Sequence, residues 1–207
     1  LILLIILAGF IRWSLNPTGE ISPADQSTQF SAANAKQMLS EVLLDEEPHP
    51  LDSPEIRETE KRLVKKIRSL GYQEEIQETQ VCNDYKRWGV RCTQVRNIMV
   101  TIQGYEDTQL TEQPTGILLS SHYDSVDVSP GASDAGVAVA TQLEIMRLLS
   151  NLPKPRNTIV MLFNEGEEYG LFGAHAFIQQ HPLAKKLKLA INVEARGSKG
   201  SSVMFES

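Results

Sequence analysis

His122 stands two residues before Asp124 in the segment SSHYDS, and three further short segments carry carboxylates: Asp134 in GASDAG, Glu167 and Glu168 in NEGEEYG, and Glu194 in INVEARG. Imidazole and carboxylate are side-chain donors for divalent cations, and a cation held by them can make water a nucleophile near neutral pH. The chemistry these residues point to is cation-assisted hydrolysis. Taken singly, each segment has a plainer explanation. His-x-Asp arises often by chance, and Asp134, just before a helical stretch, fits an N-cap. Glu194 closes an apolar run and has Arg196 nearby as a structural partner.

The acidic segment carries more. Glu165, Glu167 and Glu168 crowd one strand end, with no Lys or Arg between Arg156 and Lys185, so like charges repel unless a cation compensates them. Adjacent residues point in different directions, so Glu168 can ligate a metal while Glu167 faces the substrate as general base. Asp124 can accept the second ring N–H of His122 or contribute to the electrostatics of the site. All four segments lie at or just beyond the end of an apolar run, where open α/β sheets gather their chemistry.

The elements that position them follow from periodicity. GILLSS at 116–121 and TIVMLF at 158–163 are continuously apolar, as central strands covered on both faces should be. Residues 75–81 and 95–103 read as strands, the second alternating Ile98, Val100 and Ile102, and further strands are expected at 187–193 and 202–206. Ala35, Met38, Leu39 and Val42 recur at helical spacing. A second helix starts at the N-cap Ser53 with Pro54 behind it, lines up Ile56, Leu63, Ile67 and Leu70, and stops at Gly71. Helices are also expected over 135–149 and 172–180. The architecture is α/β, a mixed and mostly parallel central sheet with helices on both faces.

Composition sets the frame. The chain has 207 residues, 41% hydrophobic and 22% charged, which suits a single folded domain with a sizeable core. A net charge of −6 without a long basic run excludes the electrostatic footprint of a nucleic-acid binder. LILLIILAGFI opens the chain without a charge and runs into Arg12 and Trp13, a pair suited to a membrane interface. Eleven helical residues reach about 16 Å into a hydrocarbon core roughly 30 Å thick, so residues 1–13 read as a truncated membrane anchor, ahead of a signal peptide. Residues 14–29, polar and broken by Pro17 and Pro23, read as a linker, and 30–207 as the first part of a catalytic domain. Cys82 and Cys92, ten positions apart, fit a looped hairpin that a disulfide could close in an oxidising compartment; two free buried thiols fit as well.

LLSSHYDSV, SPGASDAG, FNEGEEYGLFGAHAF and INVEARG together resemble the co-catalytic two-zinc aminopeptidase family, which also holds glutamate carboxypeptidases. The likeness runs from about residue 35 to 207 and is strongest to the membrane-anchored branch of endoplasmic-reticulum and vacuolar metallopeptidases and their bacterial relatives. The resemblance implies a zinc exopeptidase acting on peptides, tethered by its N-terminal apolar segment, with its catalytic domain outside the cytoplasm in a periplasm, a lumen or the cell exterior. It implies two zinc ions per complete domain: Asp134 bridging them, His122 and Glu194 on one, Glu168 on the other, Glu167 as base and Asp124 supporting the His122 side.

Two departures from the family pattern stand out. Ala135 follows the bridging aspartate where the family usually has Asp or Asn, and the family's last zinc ligand, a downstream histidine, is expected beyond residue 207. His175 and His181 do not match that histidine and read as surface or helix-end residues, and His49 reads as structural. Competing readings are a glutaminyl-cyclase-like transferase with one zinc, and an inactive receptor-like ectodomain. Retained, uncompensated carboxylates argue against the latter. No G-x-S-x-G, H-E-x-x-H, P-loop or G-x-G-x-x-G motif is present.

Overall fold

The computed structural model of the chain describes residues 2–14, 27–44, 46–86, 89–105 and 115–195. Its strands are β1 (Glu75–Asp84), β2 (Val90–Ile102), β3 (Gly116–His122), β4 (Ile159–Asn164) and β5 (Leu187–Asn192). Its α-helices are α1 (Ile2–Ser14), α2 (Ala32–Leu43), α3 (Pro54–Ser69), α4 (Val137–Asn151) and α5 (Phe172–Gln180).

The strands make one sheet in the order β1-β2-β4-β3-β5. β3 pairs in parallel with β4 and β5, whereas β2 runs antiparallel to β1 and β4, so β2 alone opposes the other four. This is the mixed, mostly parallel sheet expected from the sequence. Period-two alternation explains why β4 is apolar throughout: Met161 and Phe163 pack with Ile98 and Val100 beneath α2, α3 and α4, while Val160 and Leu162 pack with Met99 against Phe177 of α5.

Capping follows the sequence signals. Ser53 accepts a hydrogen bond from the Ile56 amide at 3.1 Å, Pro54 takes the first helical position, and Gly71 leaves α3 at φ 86°. Ser31 caps α2 in the same way, accepting from Asn34 at 3.2 Å.

The differences lie at element ends. β1 and β2 extend past the expected limits of 81 and 95, because Cys82 and Cys92 face each other across the ladder and are joined by a disulfide. Those added positions are mostly exposed or polar, so hydrophobic patterning does not mark them. α4 begins at Val137, after a wide turn over Ala132–Gly136. The expected strand at 202–206 and Arg196 lie outside the described residues. α1 exposes its apolar side chains from Ile2 to Ile11, and among the described residues no helix is long and apolar enough to cross a membrane.

Candidate metal centre

β3, β4 and β5 point the same way, so their C-terminal tips share one edge of the sheet. His122 is the last residue of β3, its side chain fully buried. Its Nδ1 lies 3.0 Å from the carbonyl oxygen of Asp124, an acceptor for the ring N–H that aims Nε2 outward. There Nε2 meets Asp134 Oδ1 at 3.0 Å, Glu194 Oε1 at 3.3 Å and Glu167 Oε2 at 4.0 Å. The imidazole forms the floor of the site, and the carboxylates form its open wall.

Asp134 is not an N-cap. Its backbone is extended (φ −124°, ψ 95°) within the turn over Ala132–Gly136, and α4 starts from Gly136 with no side-chain cap. Gly131 makes the turn possible: it sits at φ 65°, and a Cβ there would meet the Asp134 carbonyl at 2.9 Å. The Asp134–Ala135 peptide is cis, and Ala135, where the family usually has a polar residue, is buried.

The acidic turn after β4 is fastened to the tip of β3 through Asp124. One carboxylate oxygen of Asp124 accepts from the Glu167 amide at 3.1 Å and the other from the Glu168 amide at 3.2 Å. Asp124 therefore supports both sides of the site: its carbonyl faces His122, and its carboxylate holds the turn. Gly170 and Leu171 then donate back to the Glu167 carbonyl, both at 2.9 Å.

Glu165 does not belong to the acidic cluster. It is buried, its Oε1 pairs with Arg57 of α3, and its Oε2 accepts from the Arg96 amide at 2.6 Å. The expectation that a divalent cation neutralises all three glutamates is corrected for Glu165, whose compensating charge comes from Arg57, over a hundred residues away. Glu60 joins the same network through Arg57 and Arg96.

Glu167 and Glu168 stay half-exposed. Burial raises the Glu167 carboxyl; His122 opposes the rise, and Glu194, Asp124 and Asp134 add to it. Burial likewise raises Glu168, with Asp134 next in weight. Burial opposes charge on Glu194 too, but its contact with His122 lowers it on balance. Burial alone would depress His122, yet Asp124 and Glu194 outweigh it and push the imidazole up to about 11. The one positive charge this cluster gains, on His122, faces four carboxylates. Two groups of donors, His122–Asp134–Glu194 and His122–Glu167–Glu168, each bring one atom per residue within 4.8 Å of the others. This set of one nitrogen and several carboxylate oxygens fits divalent zinc.

The other histidines are structural. His49 is buried with Nδ1 3.0 Å from the Glu47 carbonyl; His181 ends α5, stacks on Phe177 and faces Glu75; His175 contacts Asn83. Asn83 and Tyr85 carry no sequence signal, yet both reach the acidic turn from the β1–β2 hairpin, about 85 residues away in sequence.

Comparison with known proteins fits this geometry. The profile of peptidase family M28 matches residues 97–207. The chain belongs to family M28. Over 109 residues it is 41% identical to the vacuolar membrane protease of Candida albicans strain WO-1, covering 53% of this chain and 12% of that protein. Over 114 residues it is 38% identical to the endoplasmic reticulum metallopeptidase 1 of Mus musculus, covering 55% and 12%. The match thus spans about an eighth of these curated relatives. Among solved structures, a Zn-dependent exopeptidase from Parabacteroides distasonis superposes with a TM-score of 0.63 at 19% identity, over 84% of this chain and 64% of its own. A glutaminyl cyclase from Porphyromonas gingivalis gives 0.64 at 23%, over 82% and 61%. Both share the α/β fold with this M28 chain.

Proposed function

We propose that this M28 chain is the N-terminal part of a zinc aminopeptidase domain. The observation that carries the reading is the meeting of His122 with Asp134, Glu167, Glu168 and Glu194 around one buried Nε2 at the tips of three parallel strands. His122, Asp134, Glu168 and Glu194 would hold the zinc, two ions in the complete domain with Asp134 shared between them. Zinc, when bound, supplies Lewis acidity towards the scissile carbonyl and the positive charge that makes water acidic.

The chain's own residues do the rest. Glu167 takes a proton from the attacking water and returns it to the leaving nitrogen, a task suited to a carboxyl raised above its usual range. Asp124 fixes both the imidazole and the turn that carries Glu167. Residues 1–13 would tether the domain to a membrane. The exposed disulfide suits an oxidising compartment on the far side of that membrane.

The test uses the full-length protein. Glu167→Gln should keep its zinc and lose at least about a hundredfold in turnover of unblocked dipeptides, as loss of a general base typically does. Asp134→Ala should lose zinc as well as activity. A single zinc together with cyclisation of N-terminal glutamine would replace this reading by a glutaminyl-cyclase-like transferase. Full turnover by the Glu167→Gln protein would remove the base from its role.

A further inference from the structure

The closed end of the β1–β2 hairpin lies against the turn that carries Glu167 and Glu168, at its far end from Asp124. Asn83 Nδ2 donates to the Gly170 carbonyl at 2.8 Å, and the Tyr85 hydroxyl donates to the same oxygen at 2.7 Å. Gly170 is the residue whose amide closes the turn onto the Glu167 carbonyl. It sits at φ 126°, and a Cβ there would overlap the Tyr85 hydroxyl, so the glycine leaves the space that the tyrosine fills.

The brace is itself held on several sides. Asn83 is buried, its amide also bonds Tyr85 Oη at 3.2 Å, and its Oδ1 contacts His175 of α5. The Tyr85 ring meets Phe172 edge-on with centroids 6.2 Å apart, and Arg91 lies 5.9 Å from the ring centre on its face. The Cys82–Cys92 disulfide closes the ladder one residue before Asn83.

We propose that Asn83 and Tyr85 are positioning residues for the acidic turn: pulling on the Gly170 carbonyl, they set where the Glu167 and Glu168 carboxylates stand relative to His122. This inference rests on the metallopeptidase reading of the site. Asp124 fixes the first two amides of the turn, and the hairpin adds a second outside hold at Gly170, beyond the turn's own backbone bonds. A base displaced by a fraction of an ångström loses rate without losing substrate, because geometry acts on turnover.

The probes are Co2+ in place of zinc and turnover of an unblocked dipeptide, with Tyr85→Phe and Asn83→Ala in the full-length protein. Tyr85→Phe keeps the ring that packs on Phe172 and removes only the hydroxyl. Expected results are a kcat lower by about tenfold at unchanged KM, an altered Co2+ d–d spectrum, and a weaker Co2+ affinity. In a Glu167→Asp background the same changes should cost less than about twofold, since residues acting through one group are not additive. An unchanged Co2+ spectrum and affinity in both variants overturns the inference, whatever the activity. An altered spectrum in a protein whose parent hydrolyses no dipeptide upholds the brace and discards the peptidase reading.

Discussion

Arg57→Met removes the charge that compensates Glu165, while Glu60, the other partner of Arg57, keeps Arg96. Glu165 is fully buried, one of its oxygens pairs with Arg57, and the other accepts from the Arg96 amide. Removing one partner of a buried ion pair costs about 3–5 kcal/mol, because the remaining charge is left in a poorly solvating place. Here the low end applies, about 3 kcal/mol: Arg57 is 33% exposed, and the Arg96 N–H still feeds the carboxylate. At about 2–4 °C per kcal/mol for a domain of this size, Tm should fall by about 6–12 °C. Glu165→Gln added to Arg57→Met keeps an acceptor oxygen for Arg96 and deletes the charge, and should recover the stability to within about 1 kcal/mol. Calorimetry of the zinc-saturated proteins reads the first quantity, and metal analysis reads a second. Zinc content should be the same in all three. An Arg57→Met protein as stable as its parent would show that the pair does not hold Glu165. A Glu165→Gln protein that sheds zinc would return that residue to the cation cluster.

Two further outcomes follow from the site. Asp124→Asn offers one oxygen to two amides and turns an NH2 towards the other, so kcat should drop by about 10–100-fold with the circular dichroism of the folded protein intact; a drop below twofold would sink the role given to Asp124. In metal-free protein His122 is pushed from its ordinary 6.5 up to about 11, so its contribution to stability is complete below about pH 6.5 and fades as pH rises through about 11. Zinc competes with that proton, so uptake at pH 7.5 should release about one proton from the imidazole and tighten with rising pH. Titration calorimetry in buffers of different ionisation enthalpy measures the release, and none at all would contradict the charge state.

The sheet was legible because its central strands are buried on both faces. β3 and β4 need unbroken apolar runs, and no other element of this length does. Three of the metal-binding candidates were legible for a related reason: His122, Glu167 and Glu168 follow such runs within a few residues, so the sequence itself places them at one edge, whereas Asp134 lies twelve residues past the end of β3. What local sequence could not show is pairing across the fold. Arg57 and Glu165 are separated by more than a hundred residues, and Asn83 and Tyr85 reach Gly170 from the end of a hairpin whose largely polar sequence has no apolar pattern. At Asp134 the local pattern allowed two readings, a helix cap and a cation ligand. Its position before a helix fits a cap, but glycines at 131 and 136 free the intervening backbone to extend and turn the carboxylate to His122 instead.

The division of the acidic residues explains why a cation is called for at one place and not another. Glu165, Glu60 and Glu78 lie within the same region of the sheet, and Arg57 and Arg96 meet all three. Across the strand tips, Asp134, Glu167 and Glu194 share a single imidazole, and Glu168 stands in the same group of donors. Two arginines, each carrying a fixed charge, hold the first set whatever the solution contains. Among the described residues the second set has a histidine alone, whose charge is conditional, and a histidine that gives up its proton becomes a metal donor. The fold thus supplies permanent cations where glutamates hold structure, and leaves an exchangeable position where they face solvent. Replacing His122 by Arg should therefore preserve the fold while abolishing zinc uptake, since a guanidinium neutralises the carboxylates and donates no lone pair. Retained zinc in that protein would place the ions elsewhere.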